Sequence, residues 1–409
     1  MKDNIITGID IGSIMIRVVV GQKVDQSSVH IIGVAEVPSD GISKGVITSI
    51  EDAVSSISQA LEKAERMIGV PIKRALVSIA GTHILSQTSR GVVAVAKADG
   101  EIREDDVERA IEAAQAVATP PNYEIIHVIP REYTVDTQHG IKDPIGMTGI
   151  RLEVETQIVQ GLSSQMKNIT KCVYRTGVDI EDLVLAPLAA SEAVLNKRQK
   201  ELGVIVLSIG GPTTSLVVFE EGDVMHTAVL PIGAGHITAD IAIGLRTSLD
   251  TAEQIKMKLG TASPDEVDKR EDVDLSEFSE TETERVSRAH IAEIIQARVE
   301  EIFSIADKEL KSIDRSGKLP AGVVLTGGGA KLPGMIEQAR YQFRLPASLG
   351  YPKEISTAID KVHDPSLSTA VGLVLWGDRM YKSGQAGNGM FSVDQAKDRL
   401  SKWLKSLLP

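Results

Sequence analysis

The sequence predicts an α/β protein of two duplicated lobes, with a smaller α+β unit inserted in the first and an amphipathic helix at its C-terminal end. Three observations lead there. A strand–turn–strand unit runs from Gly8 to Val20 and recurs from Val204 to Phe219, so that Gly12 in one turn matches Gly210 in the other, 198 positions later. Residues 84–165 break this pattern with alternating strands around a single helix. The segment Val393 to Pro409 carries apolar side chains at helical spacing.

Each element has a local reason. Ile5 to Ile11 is an apolar run broken by Gly12-Ser13, and Ile14 to Val20 resumes it up to Gly21. Val29 to Val34 is a third strand. Ile50, Val54, Ile57, Leu61, Ala64 and Ile68 fall on one helical face, which Gly69 and Pro71 end. Arg74 to Ala80 is a buried strand closed by Gly81. In the inserted unit, strands Gly91 to Ala96, Tyr123 to Asp136 and Gly149 to Gly161 surround helix Asp105 to Val117. Helix Gln165 to Tyr174, strand Leu183 to Ala186 and the apolar helix Ala189 to Leu195 lead to the second hairpin at Gly203. Pro264 to Glu284 sets ten acidic residues against Lys269 and Arg270 and reads as a solvated surface. A long helix, Arg285 to Leu310, precedes strand Ala321 to Leu325, which runs into Gly327-Gly328-Gly329. Helix Ser368 to Met380 completes the core, and Tyr381 to Met390, rich in Gly, Ser, Gln and Asn, reads as a flexible linker.

Composition excludes several functions. The net charge of −12 leaves no surplus of cations to neutralise phosphates along a nucleic acid. The single cysteine, Cys172, rules out an intrachain disulfide framework and a cysteine-rich zinc site, and reads as a small buried apolar residue. No run approaches the length of a membrane-spanning helix, and the start shows no cleavable signal pattern, so a cytoplasmic protein is expected. None of the eight histidines has metal-ligand spacing; His127 and His139 read as polar loop or edge-strand residues. No Gly-x-Gly-x-x-Gly opens a helix near the start, and no Gly-Lys-Ser/Thr occurs.

The repeated turn suits phosphate. Glycine lets the backbone approach closely, and turn N–H groups with Ser or Thr hydroxyls bind oxyanions. Two such turns facing one cleft would grip a polyphosphate from both sides.

With a third Gly-rich turn in this order, the chain resembles the actin–hexokinase–heat-shock ATPase superfamily. Asp10-Ile-Gly-Ser13 looks like its first phosphate loop, Ile209 to Thr214 like its second, and Val324 to Gly334 like its adenosine motif. More narrowly it resembles the FtsA family, bacterial cell-division homologues of actin. Ala80-Gly-Thr-His83, His127 to Tyr133, Gly140 to Gly146 and Ser368 to Leu373 carry that likeness, which extends over the whole chain. The resemblance implies an actin-like two-lobed ATPase fold with duplicated ribonuclease H-like domains. It implies subdomain 1A at 1–84 and 166–202, an inserted subdomain 1C at 85–165 that makes polymer contacts, 2A at 203–233 and 321–380, and 2B at 234–320.

It also implies site residues. Nucleotide would meet Asp10, Gly12, Ser13, Gly210, Gly211, Thr213, Glu253, Lys256, Gly327, Gly328 and Gly329, with ATP and Mg²⁺ as cofactors and Asp10 holding the metal through water. Glu253 and Lys256 stand three apart and share a helix face. Three departures argue against fast hydrolysis. Ser208 stands where relatives have Asp, Pro212 removes a backbone donor, and Met15 stands where the family commonly has Lys. No residue is assigned a catalytic role. Arg298 and Glu301 match the surface that binds the C-terminal peptide of FtsZ.

In the tail, Val393, Ala396, Leu400, Trp403, Leu404, Leu407 and Leu408 fall within an arc of about 140° at helical spacing. Lys397 lies near its edge, and Arg399, Lys402 and Lys405 lie on the polar side. This pattern predicts an interfacial membrane anchor, with Leu400, Trp403, Leu404, Leu407 and Leu408 meeting lipid. The expected protein is a peripheral membrane scaffold at the division septum that binds FtsZ, itself and other division proteins. The alternative is a protein like PilM of type IV pilus assembly, which has the same inserted subdomain and needs no anchor. A kinase would need a sugar pocket and a catalytic Asp, and a heat-shock chaperone would need a substrate domain; neither has residues here.

Overall fold

The computed structural model describes residues 5–23, 29–96, 99–279, 284–353 and 355–382. The tail and its preceding linker from residue 383 lie outside them.

The first lobe is built on Ile5–Ile11, whose apolar residues leave it no solvent face. This strand pairs antiparallel with Met15–Lys23, which pairs antiparallel with Val29–Pro38. On its other side it pairs parallel with Arg74–Ile79, and that strand pairs parallel with Asp179–Leu185. The second lobe repeats the plan. Val204–Ile209 pairs antiparallel with Thr214–Glu220, then Asp223–Leu230 follows, while Gly322–Thr326 and Ala347–Leu349 add in parallel. The registers match as well. The last hairpin pairs are Ile11 with Ile16 and Ile209 with Thr214, so Asp10 and Ser208 are equivalent positions.

Parallel neighbours need crossovers, and helices supply them. Helix Ile50–Ile68 starts where the Ser49 side chain accepts from the Asp52 N–H, and stops at Gly69 with φ 73°. Ala53, Ile57, Ala60, Leu61 and Ala64 form its buried stripe. Full burial of Ile57 or Leu61 contributes about 1.5–3 kcal/mol.

Two helices join the lobes. Ala186–Val194 packs on strands of the second sheet, and Ser368–Lys382 packs on the first. They cross where a Cβ on Gly372 would lie 1.8 Å from the Ala189 carbonyl oxygen, so only glycine fits.

The inserted unit is a four-stranded antiparallel sheet in the order Ile84–Ala94, Arg151–Leu162, Tyr123–Val135, Gln138–Ile141. Helix Glu104–Ala118 covers one face through Val107 and Ile111, against Leu152 and Val154. It is entered from Arg74–Ile79 and left through helix Ser163–Arg175, both in the first lobe.

Several expectations change. Ile14 lies in the turn, not in the strand that follows. Tyr381 and Lys382 continue the last helix; Tyr381 donates to Glu181 Oε1 at 2.8 Å and Lys23 sits over its ring. Strand Ser356–Thr357 and helix Ser368–Lys382 join the first lobe's sheet, although the resemblance assigned 321–380 to the second. His127 is a buried residue of an interior strand, its Nε2 accepting from the Leu185 N–H at 3.0 Å. The acidic stretch forms a short hairpin, Asp272–Asp274 with Arg285–Ser287, and buries Val273 and Leu275; the long helix therefore starts later, as Arg288–Ser312. Cys172 is buried, as expected.

Candidate functional site

The two hairpin turns meet between the lobes. A Cβ on Gly211 would lie 2.6 Å from Ile14 Cγ1, so the first turn's side chain closes on the second turn's backbone. Gly210 N–H donates to the Thr213 carbonyl at 2.9 Å inside its own turn. Gly210, expected to meet nucleotide, thus has its amide used within the turn, which leaves those of Gly211 and Thr213.

The second turn is seated on helix Ala234–Leu245. The Ala234 and Gly235 amides donate to the Gly210 and Gly211 carbonyls, each at 2.8 Å. The helix's first donors are thereby used. The third turn arrives beside it, since a Cβ on Gly329 would lie 2.8 Å from Ala234 Cβ. Gly327 has φ 84° and presses on the Ile209 carbonyl, where a side chain could not stand. Gly328 is exposed, and a Cβ there would meet nothing within 4 Å.

Glu253 and Lys256 lie on helix Leu249–Leu259 beside the same junction. Lys256 is 8% exposed; its Nζ donates to Glu253 Oε2 at 2.6 Å, Thr238 Oγ1 at 2.8 Å and the Ala234 carbonyl at 3.4 Å. The Thr238 hydroxyl also donates to Glu253. The cation thus braces the two helices, while the Glu253 carboxylate stays half exposed toward solvent.

On the first-lobe side, Asp10 Oδ1 accepts from the Ser78 hydroxyl at 2.8 Å, and Ser78 Oγ accepts from the Ile11 N–H at 3.0 Å. Burial pushes the Asp10 carboxyl above its ordinary range, against the opposing pull of Arg17 and Ser78. Ser13 Oγ accepts from the Gly45 N–H at 3.0 Å, which leaves its own proton to give.

Arg17 is the residue that sequence reading missed. It lies two positions beyond Met15, on the same strand face, and faces Asp10 across the hairpin. Its Nη1 is 3.8 Å from Asp10 Oδ2 and 3.9 Å from where a Gly12 Cβ would sit, and its Nε donates to Glu36 at 3.0 Å. A cation therefore stands beside the first turn although Met15 supplies none. Strand alternation was the available signal. In the second lobe the equivalent pair is Ser208 and Ser215, without charge.

The residues fit a magnesium–polyphosphate complex: one carboxylate, one guanidinium, glycine turns on both sides, and an open face at Gly328. The Thr214 hydroxyl, buried beside the second turn without a partner, is a further group suited to an oxyanion. Among the described residues no cluster of three metal-ligating side chains occurs, so a metal would need the ligand's own oxygens.

Comparison with known proteins gives the family. The family model described as "Cell division protein FtsA" matches residues 205–372, and "SHS2 domain inserted in FTSA" matches residues 81–160. The chain is 36% identical to the cell division protein FtsA of Pseudomonas aeruginosa over 98% of its length and 97% of that protein. For FtsA of Bacillus subtilis the identity is 40%, over 92% of this chain and 84% of the relative. The chain belongs to the FtsA family.

Among solved structures, the PilM–PilN type IV pilus biogenesis complex aligns with TM-score 0.68 at 16% identity, covering 91% of this chain and 98% of that one. MreB5 of Spiroplasma citri bound to ADP aligns with TM-score 0.57 at 13% identity, covering 95% and 100%. At such identities these matches show the fold, which is actin-like. FtsA membership makes this a cell-division protein, here with an actin-like fold.

The FtsA resemblance also pointed to Arg298 and Glu301. They lie together on Arg288–Ser312, with Arg298 held by Asp240 (Nη2 to Oδ1, 2.8 Å) and by Glu301 itself. Arg298 is thus paired inside the chain. Leu400, Trp403, Leu404, Leu407 and Leu408 lie outside the described residues. Among the described residues no helix is long and apolar enough to cross a membrane.

Proposed function

We propose that this FtsA-family chain binds ATP with Mg²⁺ between its lobes, polymerises through the inserted subdomain, and tethers FtsZ to the inner face of the cytoplasmic membrane. The meeting of the first two glycine turns at Ile14 and Gly211, with the third packed beside the second against Ile209 and Ala234, carries this reading. The Gly211 and Thr213 amides, the Ser13 hydroxyl and Arg17 would take the phosphates. Asp10 would hold Mg²⁺ through water, and the ion would neutralise phosphate charge. Glu253 would meet the ribose and Gly327 to Gly329 the adenine. With Ser208 uncharged, no second carboxylate faces Asp10 to orient an attacking water, so turnover is slow or absent.

Calorimetry with ATP and Mg²⁺ tests the cleft. The wild type should bind, and Gly328→Asp should not, because its side chain enters the open face without disturbing the fold. No binding by the wild type, or turnover at kinase rates of about 1–100 per second, sinks the reading. Liposome flotation with and without residues 391–409 tests the anchor. Flotation that needs the tail supports the FtsZ tether; the PilM-like alternative would float equally in both forms or in neither.

A further inference from the structure

The inserted unit rides on one lobe and is fastened to the other. Its chain enters and leaves through the first lobe, and His127 fixes its base there through the Leu185 amide and the Trp376 ring, 5.7 Å between centroids. The sheet face not covered by its helix turns to strand Asp223–Leu230 of the second lobe. There the Thr227 hydroxyl donates to Ser86 Oγ at 2.8 Å, and Gln157 Nε2 donates to the same oxygen at 2.5 Å. Lys142 pairs with Asp223 and lies 3.6 Å from Glu221. Strand Asp223–Leu230 is itself fixed to the second lobe, by pairing with Thr214–Glu220 and by His226 against Glu309 at 2.8 Å.

One member of this interface is poorly matched. Arg131 gives Nη1 to Glu155 at 2.6 Å and Nη2 to the Met225 sulfur at 2.9 Å, its charge also attracting Asp223, and among the described residues its buried Nε has no partner. A thioether is a weak acceptor, and a buried donor left unmade is costly. An interface of a few polar pairs with one under-used guanidinium is suited to parting and re-forming.

We propose that Ser86–Thr227, Lys142–Asp223 and Arg131–Met225 form a latch that couples the interlobe cleft to the seating of the inserted unit. Opening the lobes shears all three pairs, because one side of each belongs to each lobe. Occupation of the cleft therefore biases the orientation of the unit. By linkage, a partner that holds the unit changes nucleotide affinity by the same factor. This rests on the reading of the cleft as a nucleotide site.

The test locks the latch. Ser86→Cys with Thr227→Cys, in a Cys172→Ala background, places two thiols where the hydroxyls now touch. Oxidation should form the disulfide and slow release of a bound fluorescent ATP analogue about fivefold or more, the lower end of ordinary coupling. Reduction should restore the rate. Equal release rates in the two states, or thiols that fail to join, overturn the latch and leave the cleft reading standing. No binding of the analogue by the wild type overturns both. Thr227→Val is the second arm, since it removes one donor at almost constant volume. It should speed amide exchange in strand Ile84–Ala94 while the first lobe's sheet keeps its protection; unchanged exchange there also overturns the latch.

Discussion

Ile14 in the first turn closes on Gly211 in the second, so closely that a Cβ on Gly211 would stand 2.6 Å from Ile14 Cγ1. The contact brings two sequence repeats into one site. A side chain at 211 would have to displace that of Ile14, which is 60% exposed, whatever the turn conformation.

Gly211→Val should therefore pry the two turns apart. ATP affinity measured by calorimetry should fall at least about tenfold, or ~1.4 kcal/mol. Ile14→Ala in the same chain frees the space and should recover most of the loss. The sites touch, so this non-additivity is expected. Equal losses in single and double variants would mean that the valine acts on the turn itself.

Arg17 offers a second test. Arg17→Met should lower ATP affinity by about tenfold to a hundredfold, the range for a lost hydrogen bond to a charged group of ~1.5–3 kcal/mol. Arg17→Lys should keep much of it. Glu36 retains Lys361, so the fold should survive. Unchanged affinity in Arg17→Met would confine the guanidinium to bracing Asp10 and Glu36.

Much of this architecture was legible because it rests on local pattern. Helix Ile50–Ile68 was readable from its apolar spacing and Gly69, and the second hairpin from its likeness to the first. What failed to show were effects of partners distant in sequence. Ile14 looked like strand because it is apolar, yet it faces Gly211. His127 looked like a polar loop or edge-strand residue until Leu185 and Trp376 closed over it. Helix Ser368–Lys382 follows second-lobe strands in sequence and packs on first-lobe strands in space. Glu253 and Lys256 came from the resemblance, their spacing adding only that they share a helix face, but Thr238, which completes their cluster, lies on another helix.

His83 should make stability sensitive to mild acid. It is 8% exposed, neither ring nitrogen has a partner, and burial lowers its pKa from 6.5. The unfolded chain therefore takes up a proton near pH 6.5 that the native state refuses, and stability falls as pH drops through and below that value. Urea midpoints at pH 7 and pH 5 should differ less in His83→Leu than in the wild type. An identical pH dependence would show that the imidazole is protonated equally in both states.

Arg298→Glu should weaken capture of the FtsZ C-terminal peptide. The structure adds a control, because Asp240 and Glu301 already hold Arg298. Asp240→Asn removes a competing carboxylate and should strengthen capture of an acidic peptide. A pull-down in which both substitutions weaken binding equally would trace the loss to the helix pair rather than to the Arg298 charge.

Membrane attachment should run through the tail and depend on valence. Seven apolar residues on one arc favour insertion, with Leu400 and Leu404 near its centre and Trp403 at its edge. Full burial of each large side chain is worth about 1.5–3 kcal/mol. An interface buries them partly, and ordering a helix costs chain entropy. One tail should thus bind marginally, and several linked in a polymer should bind firmly. Fusing Val393–Pro409 to a soluble monomer should give weak vesicle binding, and to a dimer strong binding. Trp403→Glu removes the largest apolar group, sets a carboxylate beside the apolar face, and should release the protein. Charge reversal at Lys402 should matter only on anionic lipid at low salt. Trp403 fluorescence unmoved by vesicles, or binding that survives deletion of residues 391–409, would assign the tail to the protein surface and leave the membrane to another contact.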